Sequence, residues 1–369
     1  MNTKEWYIVE NIDSIDTPAL LIYKDRVLKN ILNAVSVAKD PVRLRPHVKT
    51  NKMAEVCRMM MNEGITKFKC ATIAEAEMLG AIGAKDVLFA FQPAGPKIDR
   101  LLALVNQYPA TKFSCLIDHT TAAGQISKCF SSSNGTLDIY IDLNVGNNRT
   151  GVTIPKAHVL YDEIKKYPGI VVVGLHAYDG HVTDSSMEIR LQQGEAIYRE
   201  VTMLRNGIVK NDGRMLNIVA GGSPTFAVYA QKRDVECSPG TFVFWDWSYT
   251  TSYPDEPFEY AALVVTRIMS IIDGTSFCTD LGHKSLAAEK PLPRVHFLNA
   301  PDAVQISHSE EHMVVKVPDT SHYSIGNVLY GVPVHICPTV SMYERAAVVQ
   351  NKNVISEWKV TARDKRVTI

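Results

Sequence analysis

Residues 67–91 read KFKCATIAEAEMLGAIGAKDVLFAF and predict a strand, a helix and a second strand in succession. Lys67–Ala71 and Val87–Phe91 are short segments of the kind that a sheet buries. Between them, Thr72-Ile-Ala-Glu75 has the spacing of a helix capping box. A strand, a helix and a strand in such close order form the repeating unit of a parallel sheet.

The same alternation extends from about Pro18 to Val219. Apolar residues at helical spacing from Met53 to Met60 predict a helix that Gly64 ends, and Pro155 opens another over 158–166. The predicted strands are Ala19–Tyr23, Arg43–Lys49, Lys67–Ala71, Val87–Phe91, Lys112–Ile117, Leu137–Leu143, Ile170–His176 and Leu216–Val219. Eight strands alternating with helices over ~200 residues are the pattern of an α/β (β/α)8 TIM-like barrel. A doubly wound sheet is the alternative that periodicity does not separate from it, and we favour the barrel.

The pattern of apolar residues changes after Pro239, where helical periodicity is scarce. The predicted strands there are Phe242–Trp247, Ala261–Ile272, Phe277–Asp280, His312–Val317, Val332–Val340 and Arg345–Val360. We therefore expect a barrel over 18–238 and a second, mostly β domain formed by 1–17 and 239–369.

The composition fits a small-molecule enzyme, as it fits most globular proteins. The chain has 369 residues, 46% hydrophobic, with 39 basic and 39 acidic side chains and no basic block, so neither nucleic acid nor a membrane surface is an expected partner. Met1–Ser14 lacks the pattern of a secretory signal, and no apolar run reaches the ~20 residues that span a bilayer. Seven scattered cysteines without a CxxC pair are typical of reduced thiols, which predicts a cytoplasmic protein.

Two segments at predicted strand ends could hold an anionic cofactor. In Arg45-Pro-His-Val-Lys-Thr50, Lys49 ends a strand, where a partly desolvated amine can form an imine; a solvated loop lysine is the alternative. The segment 220–226, AGGSPTF, places two glycines and two hydroxyl side chains after the last predicted barrel strand. Such a loop can bind phosphate, or can be a simple turn.

Three further segments carry reactive side chains. Arg149 lies in a glycine- and asparagine-rich loop, where it could bind a phenolate or a carboxylate or simply face solvent. His176 and Tyr178 follow a predicted strand and could line an aromatic ring, although a lone histidine there is more often structural. His335 and Cys337 are two residues apart in a predicted strand, so they would share a face as half of a metal site or as core residues.

Taken together, the chain resembles the fold-type III pyridoxal-phosphate enzymes of the alanine racemase type, and within them the D-threonine aldolase and D-serine dehydratase branch. The segments that carry this resemblance run in order through nearly the whole chain: IDTPALLIY, RPHVKTNK, FKCATIAEAEML, GNNRTG, GLHAYDGH, VAGGSPTF, CSPGTFVFWD, DLGHKSLAAE, PRVHFLN, SEEH and GVPVHICPTV. The resemblance implies a homodimer that acts on a small D-amino acid.

The resemblance also implies residue roles. Lys49 would carry pyridoxal 5'-phosphate as a Schiff base, and Arg149 would lie near the phenolic oxygen. His176 and Tyr178 would line the ring, and the phosphate would bind Gly221, Gly222, Ser223 and Thr225. His335 and Cys337 would bind a divalent metal, Zn or Mn, and act in catalysis with Lys49.

The implied activity is retro-aldol cleavage of D-threonine and related β-hydroxy D-amino acids to glycine and an aldehyde. A dehydratase that yields a 2-oxo acid and ammonia is the alternative, since those enzymes also use a thiolate ligand. A protein that binds the cofactor without turnover and a racemase are the remaining alternatives, and neither needs the metal pair.

Overall fold

The computed structural model describes residues 5–369. The strands in this part of the chain are β1 (Ala19–Tyr23), β2 (Lys67–Cys70), β3 (Asp86–Phe89), β4 (Lys112–Ile117), β5 (Leu137–Asn144), β6 (Val152–Thr153), β7 (Ile170–Ala177), β8 (Asn217–Ala220), β9 (Val235–Cys237), β10 (Ala262–Asp273), β11 (Ser276–Thr279), β12 (Val295–Phe297), β13 (Val304–His308), β14 (Met313–Lys316), β15 (Val328–Pro333), β16 (Arg345–Gln350) and β17 (Asn353–Lys359). The α-helices are α1 (Lys24–Ala38), α2 (Ala54–Asn62), α3 (Ile73–Ala81), α4 (Pro96–Gln107), α5 (Thr120–Ser132), α6 (Ile154–Ile164), α7 (Met187–Asp212), α8 (Phe226–Ala230), α9 (Trp247–Ser252) and α10 (Ile336–Val340).

The chain forms two compact units. The barrel unit consists of Ala34–Lys49, Cys57–Gly240 and Asp364–Ile369. The β unit consists of residues 5–33, Thr50–Val56 and Thr241–Arg363. This division differs from the boundaries predicted at 18–238 and 239–369, because residues 18–33 fall in the β unit; residues 1–4 of the predicted 1–17 segment lie outside the described residues.

A parallel sheet in the order β2-β3-β4-β5-β7-β8-β9 forms the core of the barrel unit. Residues 44–47, which we call the closing segment, link its two edges through parallel bridges from Leu44 to Cys237 and from His47 to Lys69. With this segment the unit has eight parallel positions, and helices follow most strands. The (β/α)8 fold class with a second, mostly β domain is confirmed.

The membership of the barrel differs from the sequence prediction at two positions. Ala19–Tyr23 is a strand, but it pairs antiparallel with β10 and parallel with β16 in the β unit, so the prediction that it opens the barrel is wrong. The position it was expected to fill belongs to β9, a short strand paired with β8 that the sequence analysis missed. As a result Lys49 follows the first barrel segment, and the glycine-rich segment follows the seventh.

Local helix signals were predicted correctly. The hydroxyl oxygen of Thr72 accepts a hydrogen bond from the backbone N–H of Glu75 at 3.1 Å, at the start of α3. Gly64 lies just after α2 with a φ of +85°, a left-handed conformation in which glycine needs no strain. Pro155 lies in the first turn of α6.

The β unit is built on a mostly antiparallel sheet formed by β1 and by β10 to β17. Aromatic and aliphatic side chains form its core. One predicted strand is absent from the sheet and another is shorter at its carboxyl end than predicted. Residues 242–247 form a 3-10 turn and the start of α9, and the predicted strand at 332–340 ends at Pro333. No helix among residues 5–369 is long and apolar enough to cross a membrane, and all seven cysteines are free thiols.

Candidate active site

The candidate active site lies at the carboxyl ends of the barrel strands. Lys49 follows the closing segment, Asp142 lies near the end of β5, and His176 lies near the end of β7. Parallel strands end on one face of a barrel, so side chains at these ends converge. A cavity of about 510 Å³ opens there; its lining includes Lys49, Asp142, Arg149, His47, Phe91, Gln92 and Asp118.

Tyr178 is the side chain around which the predicted cofactor residues meet. Its ring centroid lies 5.9 Å from Nζ of Lys49 and 5.2 Å from Cζ of Arg149. Lys69, which the sequence analysis did not single out, places its Nζ 5.5 Å from the same centroid. A smaller cavity of about 40 Å³ is lined by these four side chains together with His47, Ala90 and His176. Lys49 and Arg149 beside one aromatic ring suit an anionic, planar ligand.

A buried carboxylate fixes the imidazole of His176. The Nδ1 atom of His176 lies 2.7 Å from Oδ1 of Asp142, and the other oxygen of Asp142 accepts a hydrogen bond from Thr150 at 2.9 Å. Burial lowers the pKa of His176 and outweighs the opposing hydrogen bond to Asp142, so the ring is neutral at pH 7. Because Asp142 is an acceptor, Nδ1 carries the proton and Nε2 is left as an acceptor. Burial is the largest single influence on Asp142 and favours its neutral form, but the hydrogen bonds from His176 and Thr150 and the nearby positive charges together outweigh it and lower the pKa of that carboxyl.

The segment 221–225, which we call the glycine loop, contacts the same ring. Gly221 has a φ of +80°, and a Cβ atom there would lie 2.7 Å from Cδ2 of Tyr229. A Cβ atom on Gly222 would lie 3.1 Å from the ring of Tyr178. Only glycine fits these two positions without displacing an aromatic side chain. The loop therefore presents bare backbone beside the ring that Lys49 and Arg149 approach.

The two hydroxyl side chains of the glycine loop take part in internal hydrogen bonds. The Oγ1 atom of Thr225 donates to Oδ1 of Asp179 at 2.9 Å and accepts from the backbone N–H of Gly222 at 3.2 Å. The Oγ atom of Ser223 accepts from the backbone N–H of Gly240 at 3.3 Å. These bonds hold the loop in shape, and direct contact of Ser223 and Thr225 with a phosphate stays a prediction.

The groups around Tyr178 fit pyridoxal phosphate. Lys49 supplies an amine for a Schiff base, and Arg149 supplies a fixed positive charge. Gly222 leaves a space that a Cβ atom would fill. An amine, a fixed positive charge and loop backbone free of side chains are what a phosphorylated aromatic aldehyde needs.

His335 and Cys337 are not on a strand. β15 ends at Pro333, and α10 begins at Ile336 with His335 as its N-cap. The expectation that the two side chains share a strand face is therefore wrong. Pro338 gives the physical reason, because a proline cannot donate to a sheet ladder but is tolerated in the first turn of a helix. The imidazole and the thiol are nevertheless hydrogen-bonded to each other.

Their neighbours in the β unit favour an ionised pair. The Nδ1 atom of His335 contacts Oε1 of Glu289, and Sγ of Cys337 lies 3.1 Å from Oγ1 of Thr50 and 3.5 Å from Oγ1 of Thr241. Burial is the largest single influence on Cys337 and opposes its ionisation, but the hydrogen bond and charge of His335 and the hydrogen bond from Thr50 together outweigh it and lower the thiol pKa. Burial also lowers the pKa of His335, but its bonds to Cys337 and Glu289 outweigh it and raise the pKa to about 9.

This donor set fits a divalent metal. A thiolate and an imidazole are ligands that Zn²⁺ takes, and a carboxylate on the other ring nitrogen, here that of Glu289, commonly orients such a histidine. Within residues 5–369, no group of three or more His, Cys, Asp or Glu side chains is placed to bind a metal. Two protein ligands would leave the other positions to water or substrate.

Three residues of the site were not predicted from the sequence: Lys69, Asp142 and Glu289. Lys69 and Asp142 had a signal, since each is a charged residue inside a strand that a barrel buries, and such residues are rarely buried without a role. No sequence signal marked Glu289, because it lies in an irregular segment 46 positions before His335.

Comparison with known proteins places the chain among related sequences. Residues 22–244 match the alanine racemase N-terminal domain, and residues 261–349 match a serine dehydratase domain. The D-threonine aldolase of an Arthrobacter species is 27% identical over 360 residues, which cover 95% of this chain and 93% of that protein. The 3-hydroxy-D-aspartate aldolase of Paracoccus denitrificans is 28% identical over 368 residues, with the same coverage of 95% and 93%.

Two solved structures share the fold. The D-threonine aldolase of Filomicrobium marinum superposes with a TM-score of 0.86 at 24% identity, and 95% of each chain is covered. A metal-free variant of a D-threo-3-hydroxyaspartate dehydratase has a TM-score of 0.83 at 19% identity, covering 94% of this chain and 97% of that one. The match to the alanine racemase N-terminal domain extends over more than half of this chain, which therefore belongs to that family.

Proposed function

We propose that this protein cleaves D-threonine and related β-hydroxy D-amino acids to glycine and an aldehyde. The relatives that span nearly the whole chain are lyases, and this chain is a pyridoxal-phosphate-dependent lyase. The observation that carries the proposal is the convergence of Lys49, Arg149 and His176 on the ring of Tyr178 beside the glycine loop. We further propose that a divalent metal, Zn or Mn, binds His335 and Cys337.

Each cofactor-binding residue of the barrel unit would have a separate role. Lys49 would hold the cofactor covalently, and Arg149 would place its charge near the phenolic oxygen. Bound pyridoxal phosphate supplies the electron sink for the bond that breaks at the α-carbon. His176, kept neutral by burial and fixed by Asp142, would lie against the ring without adding charge.

The residues of the β unit would supply the metal chemistry. His335 and Cys337 would bind the ion, and Glu289 would orient His335 through its Nδ1 atom. A bound divalent metal lowers the pKa of a coordinated oxygen, which favours loss of the β-hydroxyl proton. Loss of that proton starts cleavage of the bond between the α- and β-carbons.

A dehydratase is the second candidate, and the thiol of Cys337 favours it. That reaction removes the α-proton and the β-hydroxyl and yields a 2-oxo acid and ammonia, and a metal held by His335 and Cys337 would favour departure of the hydroxyl as hydroxide. The same residues would serve both reactions. A protein that binds the cofactor without turnover, or a racemase, would have no use for the His335–Cys337 pair.

A product assay tests the proposal. The protein is incubated with pyridoxal phosphate, Mn²⁺ or Zn²⁺ and D-threonine, with L-threonine as the control substrate. Glycine and acetaldehyde from the D-isomer alone support the aldolase. Ammonia and 2-oxobutyrate establish the dehydratase instead, and L-threonine formed from D-threonine establishes a racemase. No turnover with either metal contradicts the proposal.

Two further expectations from the sequence remain proposals. We propose a homodimer, which analytical ultracentrifugation tests, since a monomeric mass at micromolar concentration contradicts it. We also propose a cytoplasmic location, which the set of seven free thiols supports. Recovery in a secreted or membrane fraction after cell fractionation contradicts that location.

A further inference from the structure

Lys69 is a buried lysine without a carboxylate partner. Its side chain lies on β2 and is 2% exposed. In the described part of the chain, no carboxylate lies within ion-pair distance of its Nζ atom, and its hydrogen-bond contact is Nε2 of His176 at 3.5 Å. Buried lysines are rare unless they are paired, and unpaired ones are typical of bases and imine-forming amines. Packing alone therefore does not explain why Lys69 is buried.

The charges that face Lys69 come from several elements of the barrel unit. Arg45 lies in the closing segment, and Lys49 lies just after it. Asp142 is on β5, Asp179 follows β7, and the neutral His176 is on β7. Burial is the largest influence on the Lys69 amine, the positive charge of Lys49 acts in the same direction, and Asp142 opposes both. Together they lower the pKa of Lys69 to about 7. The amine thus exchanges its proton in the physiological range.

Lys69, His176 and Asp142 form a chain of hydrogen bonds that we call the relay. Asp142 accepts from Nδ1 of His176 at 2.7 Å, so Nε2 faces Lys69 as an acceptor at 3.5 Å. The Nζ atom of Lys69 is within hydrogen-bond distance of Nε2, and the Lys69 side chain also lines the cavity of about 40 Å³ that Lys49 and Tyr178 border. When Lys69 gains a proton, the carboxylate of Asp142 stabilises the new charge through the imidazole.

We propose that Lys69 is a further proton-transfer residue of this site, with its amine nitrogen taking the proton that the reaction removes and the relay stabilising the ammonium that results. This inference rests on the proposed function. In the retro-aldol reaction the O–H bond of the β-hydroxyl breaks and an N–H bond forms on Lys69. The same proton then returns to the α-carbon of the glycine product, so the reaction needs no net proton and no other reactant.

Kinetics of two matched variants test the proposal. Lys69→Met keeps the length and loses the basic nitrogen, and Lys67→Met is the control on the same strand, where Lys67 pairs with Glu236. We expect kcat to fall about 100-fold or more in Lys69→Met, since general bases contribute roughly 10²–10⁴-fold. The wild type should lose kcat as the pH falls below about 7, whereas the residual rate of Lys69→Met should be flat there. Cofactor absorbance should be the same in all three proteins.

A measurement without turnover separates this inference from the proposed function. The protein is labelled with ¹³C at the lysine ε-carbon, and the Lys69 resonance is identified as the one missing from Lys69→Met. This resonance should titrate near neutral pH. Asp142→Asn should shift its titration midpoint downward, because this variant removes the charge that stabilises the ammonium. A midpoint above pH 9, or unchanged kcat in Lys69→Met, overturns the role of Lys69 even if the lyase is active. A neutral midpoint in a protein that turns over no D-amino acid supports the relay and leaves the proposed function contradicted.

Discussion

Replacing Lys69 with methionine should stabilise the cofactor-free protein. Folding transfers this amine from water into a site where its pKa is about 7 instead of 10.5. Between these two values the unfolded chain carries one more proton than the folded chain, so a fall in pH favours unfolding. Methionine has a similar length and no proton to lose. The wild type therefore carries a folding cost that Lys69→Met does not.

The size of the effect follows from the two pKa values. At about 1.4 kcal/mol for each tenfold change in proton affinity, the fall from 10.5 to about 7 corresponds to about 5 kcal/mol at low pH. The variant should exceed the wild type in free energy of unfolding by about 4 kcal/mol at pH 7 and by about 1 kcal/mol at pH 9.5. The lost contact with His176, at 3.5 Å, offsets little of this gain.

Urea unfolding at several pH values, followed by tryptophan fluorescence and circular dichroism, measures the difference between the two proteins. Lys67→Met again serves as the control, because loss of its partly exposed ion pair with Glu236 should cost about 0–1 kcal/mol with little dependence on pH over this range. A destabilised Lys69→Met at pH 7, or a gain that stays constant from pH 6 to 9.5, would refute the reasoning.

Three further substitutions test the metal pair of the β unit and the cofactor residues of the barrel unit. Cys337→Ala should weaken metal binding by at least about tenfold and remove activity that excess metal restores only in part, whereas Cys278→Ala should leave metal content unchanged; elemental analysis after dialysis decides. Gly221→Ala should weaken cofactor binding by about tenfold, since its φ of +80° costs other residues about 1–2 kcal/mol, whereas Gly207→Ala meets no atom within 4 Å and should bind normally. Asp142→Asn should lower kcat by about 100-fold or more at unchanged cofactor content, because the amide no longer holds the imidazole in one tautomer; unchanged kcat contradicts that role.

The sequence predicted the fold class because strand and helix periodicity is local, but it could not assign strands to sheets. Ala19–Tyr23 is apolar and buried, which fits either sheet; its partners β10 and β16 lie more than 200 residues along the chain. β9 was missed for a different reason. It has three residues, and Glu236 at its centre breaks the apolar run.

The candidate site could be predicted in part. Lys49, Arg149, His176 and Tyr178 follow strands whose carboxyl ends meet on one face, so a correct barrel brings them together. Lys69 required knowledge of which side of β2 faces the barrel interior, which a four-residue strand does not reveal. The strand predicted across 332–340 could have been corrected from the sequence, since Pro338 argues against a strand and for a helix start.

The central claim is that Lys49 carries the cofactor, and peptide mapping after borohydride reduction tests it most directly. The purified protein is loaded with pyridoxal phosphate, reduced, digested and analysed by mass spectrometry, with Lys49→Ala treated in parallel. We predict a phosphopyridoxyl group on Lys49 of the wild type and no stoichiometric label in the variant. A label on another lysine of the wild type, or none at all, would contradict the assignment and with it the site described around Tyr178.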